Sequence, residues 1–250
     1  MSVKDYLASS RAPRYSLLFA LPLLLLYEGL SFLLTGSTVA GVRNGADVLL
    51  KELFLSIGGR YGLTMFNAAL FGIGALLVWR DRRANREPMS GSVFAVMLLE
   101  SAGYATLFGF VVGWLTALVL RAPSMLAIGP SDLDLPTKLV TSLGAGIYEE
   151  LLFRVLLTGG LLVLLRVLFG FSRPTAAIVS VVASALVFSS FHYIGALGDR
   201  FTVASFTFRA IAGLAFSALY VTRGLGVTAW THALYDVGLT LLQTAVHSSR

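Results

Sequence analysis

The sequence contains no cysteine. That absence excludes disulfides, thiolate metal sites and cysteine nucleophiles together. Charge is nearly as scarce: Asp, Glu, Lys and Arg make up 13% of the 250 residues, where a soluble domain has about 25%. So few charges cannot cover a water-facing surface. Histidine occurs three times. There is no Gly-rich phosphate loop and no HExxH segment, and Ser189 and Ser190 precede His192 too closely for an evident nucleophile–base pair. The net charge of +6 comes mostly from arginines in short loops, which is a topology signal and not a nucleic-acid footprint.

What is abundant is apolar sequence: 56% hydrophobic residues and a mean hydropathy of +0.81. Apolar runs of about 20 residues, each long enough to cross a bilayer as a helix, recur along the chain. The fold class expected is all-α, a polytopic transmembrane helix bundle of about seven spans, with six to eight allowed. The expected spans are 14–35, 61–80, 91–120, 138–169, 174–195, 202–222 and 225–246. The first follows a basic start, but it runs too far for a signal-peptide core and reads as a span. The segment "VLLKELFLSI" within 36–60 reads as an interfacial amphipathic helix. The run 138–169 is long for one straight crossing, and Gly159-Gly160 is its expected break.

Lys4, Arg11, Arg14, Arg80, Arg82, Arg83, Arg86, Arg166, Arg173 and Arg223 fall on one side of such a bundle, whereas Asp132, Asp134 and Asp199 fall on the other. The positive-inside rule then puts the N-terminus in the cytoplasm and the C-terminus outside. Residues 1–136 form the N-terminal spans and loops, and 137–246 a second bundle packed with them as one membrane domain.

An ionisable side chain at a helix centre costs about 2.5–3.5 kcal/mol to insert, so each needs a partner or a water-filled cavity. Glu28 and Glu100 read as structural carboxylates, protonated or paired inside the bundle. Arg209 reads as snorkelling from the start of its span, and His247 as a solvated tail residue. The remaining six form a pattern: "YEELLFR" carries Glu149, Glu150 and Arg154, "FSSFH" carries His192, and "THALYD" carries His232 and Asp236. Glu150 and Arg154 are four apart and can pair on one helix face. Glu149 points about 100° away and needs another partner or water. Ala176, Ser180 and Ser184 make a small-residue stripe that would pack closely and bury His192 among its neighbours. His232 and Asp236, also four apart, can hydrogen-bond within their helix.

Taken singly, each group reads as a structural pair or a satisfied core histidine. Together, on three spans, they offer carboxylate and imidazole, which can activate water and stabilise an oxyanion. This is the inventory for amide hydrolysis in a membrane cavity. Two histidines with carboxylates also satisfy the ligand set of a catalytic zinc, and at this level glutamate-activated and metal-activated water stay open. A non-catalytic immunity or scaffold protein and a proton-coupled transporter are the rival classes. No internal repeat supports the transporter.

"EELLFR" fits an EExxxR motif, Phe188–His192 an FxxxH motif, and His232–Asp236 an HxxxN/D motif. In order and spacing they resemble the CAAX-processing and bacteriocin-processing (CPBP, or Abi) intramembrane proteases, over about residues 137–240. The resemblance implies an endopeptidase in which Glu149 and His192 activate water and Glu150, paired with Arg154, supports the site. His232 and Asp236 would stabilise the oxyanion. Prenyl-protein members have Asn at the last position, so Asp236 would donate only if protonated, or else orient His232 or bind a metal. No cofactor is needed if the mechanism is glutamate-dependent; otherwise zinc is implied. Short loops and Gly/Ala/Leu-rich spans look bacterial, so the expected setting is a bacterial cytoplasmic membrane. The expected partners are membrane lipid and a membrane-tethered peptide or protein substrate, with no nucleic acid.

Overall fold

A computed structural model describes residues 2–35, 43–121, 133–195 and 198–248. Asp132 and the side chain of His247 lie outside the described residues, as does most of the loop at 121–137. Among the described residues there is no strand. The helices are α1 (Val3–Arg11), α2 (Pro13–Thr35), α3 (Gly45–Gly58), α4 (Gly62–Ala84), α5 (Gly91–Leu120), α6 (Leu135–Gly144), α7 (Gly159–Val167), α8 (Arg173–Phe191), α9 (Val203–Arg223) and α10 (Leu225–Ser248). A 3-10 turn at Gly59–Tyr61 joins α3 to α4, and a π-helical segment at Ala145–Thr158 joins α6 to α7.

Among the described residues, five stretches are long and apolar enough to cross a membrane: Pro13–Leu34, Gly45–Ala84, Gly91–Leu120, Arg173–Phe191 and Val203–Arg223. The molecule is thus a polytopic helix bundle. The two other expected spans are helical too, as the rod 135–167 and α10. They carry "YEELLFR" and "THALYD", and those polar groups remove them from the purely apolar class.

Two local expectations are corrected. The segment containing "VLLKELFLSI" is helical, but its amphipathicity is inverted relative to a surface helix. Asp47 and Lys51 are buried, whereas Leu49, Leu53 and Ile57 face outward. The cause is internal pairing: Asp47 meets Arg43 at 2.9 Å and Lys51 at 2.7 Å, and Glu28 of α2 takes the same two cations at 2.9 and 2.8 Å. The second correction concerns Gly159-Gly160, which does not break the rod. The Gly159 N–H reaches back to the Arg154 carbonyl, closing the wide π turn, and the α-helix resumes there.

The basic loops gather at one end. The Arg14 N–H donates to Asp81 and its guanidinium to the Asn85 carbonyl, Arg11 donates to the Val221 carbonyl, and Arg223 donates to Ser10 and Glu100. Arg14 and Arg223 are buried by these contacts. Elsewhere the packing is tight enough to require glycine. A Cβ on Gly146 would lie 2.5 Å from the Ala233 Cβ and 2.6 Å from the Ala229 carbonyl. The π segment and α10 therefore meet backbone to backbone, which brings the two motifs together. The stripe Ala176, Ser180 and Ser184 is fully buried, as its small side chains predict.

Candidate active site in the bundle

The π segment sets the geometry. Its hydrogen bonds run from residue i to i+5, so each turn holds about one residue more than an α-helix. The Phe153 carbonyl accepts from two hydroxyls, Thr158 on its own rod and Ser184 on α8, each at 2.7 Å. This pins the π segment to α8 one turn beyond the glutamates.

Glu150, Arg154, His232 and Asp236 form one chain of contacts. Arg154 Nε lies 3.1 Å from Glu150 Oε2, and neither side chain has any exposure. Glu150 Oε1 accepts from His232 Nδ1 at 2.8 Å. His232 Nε2 lies 3.4 Å from Asp236 Oδ2. The Arg154 guanidinium also sits 4.6 Å from the Phe188 ring centre and 5.6 Å from that of Phe216. Those aromatic faces stand in for water around a buried cation. Phe216 in turn stacks on His232 at 4.2 Å. The first residue of "FSSFH" thus supports the arginine.

Glu149 turns the other way. Its Oε1 accepts from Asn44 Nδ2 at 2.9 Å, and its Oε2 lies 4.0 Å from His192 Nε2. That gap is too long for a direct hydrogen bond. His192 Nδ1 is 2.9 Å from the Phe188 carbonyl, which can only accept, so Nδ1 carries the proton. In the neutral ring Nε2 is then an acceptor, and it faces a carboxylate oxygen, another acceptor. The expectation that His192 is buried is corrected: it lies just past the end of α8, and its side chain is 24% exposed. The packed stripe ends before it.

A cavity of about 210 Å³ adjoins these groups. Glu149, His192, His232 and Asp236 line it, along with Arg209 of α9 and Phe108 of α5. Glu150 and Arg154 are not on its wall; they stand behind His232. Arg209 corrects another expectation. Instead of snorkelling it is buried, ion-paired with Asp199 and hydrogen-bonded to Tyr193 and Ser205. The segment after α8 folds back to supply Asp199, which no local spacing announces.

Among the described residues, no group of three or more His, Asp or Glu side chains is arranged to hold a metal ion. His232 faces a carboxylate at each ring nitrogen, and His192 turns one nitrogen to a carbonyl. The donors present do not offer zinc three convergent ligands, and no step below passes through a metal.

Asn44 is the residue in the site that sequence reading missed. "GVRNGADV" reads as a polar loop, and the only usable signal is that Asn is a favoured helix N-cap.

No curated protein and no solved structure matches the chain. A family model does, over residues 131–238, and its description is "Type II CAAX prenyl endopeptidase Rce1-like". That span contains all six motif residues, and the match there to an Rce1-like domain is consistent with the CPBP/CAAX protease family.

Proposed function

We propose that this protein is an intramembrane endopeptidase that hydrolyses a peptide bond of a membrane-associated peptide or protein with water activated between Glu149 and His192. One observation carries the reading: two acceptors, Glu149 Oε2 and His192 Nε2, stand 4.0 Å apart on the wall of one cavity. A water donating one hydrogen to each satisfies both and turns its lone pair to the cavity. As that water attacks the substrate carbonyl, Glu149 takes its proton and later returns it to the leaving amine.

Charge then develops on the carbonyl oxygen and needs a positive or donating neighbour. His232 meets that need. With Nδ1 directed to Glu150 at 2.8 Å and Asp236 3.4 Å from Nε2, a proton carried on Nε2 can be turned to the oxyanion. Asp236 acts by orienting His232, not as a donor of its own. Glu150 and Arg154 position His232 from behind. Residues 137–246 carry the chemistry, and residues 1–136 scaffold it within one membrane unit.

The substrate is read as a membrane-tethered peptide in a bacterial cytoplasmic membrane, with the N-terminus and the arginine-rich end cytoplasmic. The direct test uses purified protein in liposomes and an internally quenched CAAX peptide, once farnesylated and once unprenylated. Cleavage of either probe by the wild type and not by Glu149→Gln is expected. Equal signal from the two proteins would sink the reading and favour a non-catalytic immunity or scaffold role. Reporter fusions at the two termini test the orientation; an external N-terminus would reverse it.

A further inference from the structure

We infer that Asn44 is a positioning residue for the water-activating carboxylate, holding one oxygen of Glu149 so that the other is presented to His192 and the cavity. The inference rests on the hydrolytic reading above, and it adds a group from the N-terminal half of the chain, outside the matched domain.

Asn44 is held at four atoms, and its carbonyl accepts from the Val48 N–H at 3.1 Å. Its Oδ1 accepts from the Ala46 N–H at 2.8 Å, capping α3. That bond fixes which way the amide faces, because only Oδ1 can accept, and so it turns Nδ2 toward Glu149 Oε1 at 2.9 Å. The backbone N–H of Asn44 donates to Tyr27 Oη at 3.0 Å, and the Tyr27 hydroxyl donates to Asp47 at 2.8 Å. The residue is buried, and α6 presses on it. A Cβ on Gly144 would lie 2.5 Å from Tyr27 Cε2 and 2.7 Å from the Asn44 Cβ. A rigid donor anchored in α2 and α3 therefore meets a glutamate on another rod.

A free glutamate can rotate about several bonds and offer either oxygen in several directions. With Oε1 committed to Asn44, the geometry of Oε2 relative to His192 is set before substrate arrives. Misplacing a reacting group by about 1 Å can cost about a hundredfold in rate. Capping alone would explain the Ala46 contact, but not why the other half of the amide is spent on the site's base.

Capping and positioning separate by substitution. Serine ranks with asparagine as an N-cap, yet its hydroxyl is too short to cap α3 and reach Glu149 together. Asn44→Asp keeps the shape and the cap but turns an acceptor toward Glu149. In liposomes with the same quenched peptides, Asn44→Ser should lower kcat by about ten- to a hundredfold with KM within about threefold and an unchanged melting temperature. Asn44→Asp should lower kcat further. A wild-type kcat in both variants would overturn the inference, as would a kcat loss matched by a lower melting temperature in both.

A second readout needs no turnover. Dicyclohexylcarbodiimide labels protonated carboxyl groups in apolar surroundings, and mass spectrometry locates the adduct on Glu149, with Glu149→Gln as the blank. Losing the Asn44 donor should speed labelling severalfold, since the Oε1 that Asn44 covers is then free to react. An unchanged labelling rate in Asn44→Ser would count against the pairing. If neither probe is cleaved by the wild type, the hydrolytic reading fails, while the labelling still decides the Asn44–Glu149 contact.

Discussion

Two of the polar networks inside this bundle lie side by side, joined at Asn44, and of these two one touches the cavity. In the first, Glu28, Arg43, Asp47 and Lys51 close on one another at 2.7–2.9 Å, with Tyr148 and Tyr27 adding hydroxyls to the two carboxylates. Each carboxylate there has two cations. In the second, Glu150 pairs with Arg154 at 3.1 Å and accepts from His232, the Arg154 guanidinium otherwise meets only aromatic faces, and Glu149 Oε2 and His192 Nε2 face each other across 4.0 Å. Burying either set of charges is costly. The first turns its carboxylates to its own cations and hydroxyls, whereas the second leaves one carboxylate oxygen and one ring nitrogen facing the cavity, where the proposed chemistry needs them. Asn44 joins the two, through Tyr27 on one side and Glu149 on the other.

The sharpest break in that comparison is Glu149→Gln. It keeps an acceptor for Asn44 and the shape of the site but removes the proposed base. Peptide cleavage should fall by about a hundredfold to ten-thousandfold with little change in melting temperature. Arg154→Met should do the opposite: it leaves Glu150 buried beside one partner fewer and should destabilise the protein by about 3–5 kcal/mol. Unfolding in a denaturing detergent series measures it. If Arg154→Met folds as well as wild type and only activity is lost, the arginine belongs to the chemistry and not to its support.

How far these networks could be read from sequence follows the length scale of each contact. The bundle was legible because scarce charge and apolar runs of membrane-spanning length are properties of composition. Glu150–Arg154 and His232–Asp236 were legible because a helix repeats every three to four residues and puts each pair on one face. The Glu150–His232 bond was not, since it joins residues 82 apart through close packing at Gly146. Asn44 was hidden for the same reason, and Arg209 was misread because Asp199 reaches it only after the chain folds back. The inverted face of α3 shows the limit of amphipathicity. A polar stripe in a membrane protein can face inward as well as toward water, and only the partners on α2 decide between them.

The closed network offers a milder test. Lys51→Met removes one cation from Glu28 and Asp47 but leaves Arg43 on both, so the loss should be about 1–3 kcal/mol, smaller than for Arg154→Met. Cleavage per folded molecule should stay within about threefold of wild type. A much larger kcat loss would mean that the closed network is coupled to Glu149 through Asn44 more tightly than packing requires. Removing metal is expected to have less effect still. Dialysis against a strong chelator should leave cleavage unchanged, with zinc content measured before and after; activity lost on chelation and restored by zinc would overturn glutamate-activated water.

The smallest expected effect comes from a carboxylate in water, where the same pairing chemistry is screened. Asp5 accepts from the Ser2 N–H at 3.2 Å and from its hydroxyl at 2.6 Å, and the Ser2 hydroxyl accepts in return from the Asp5 N–H, closing a capping box on α1. The hydrogen bonds from Ser2, side chain first and then backbone, hold the Asp5 carboxyl below its usual range. A carboxylate whose folded pKa is depressed contributes its stabilisation above the unfolded value and loses it as the pH falls through the folded one. The start of α1 should therefore be ordered at neutral pH and loosen only on acidification below about pH 4. Because the chain has no cysteine, a single spin label at Ala8→Cys reports that loosening without background. Asp5→Asn should make the label's mobility nearly independent of pH over the same range, and an unchanged acid response in Asp5→Asn would assign the loosening to another group.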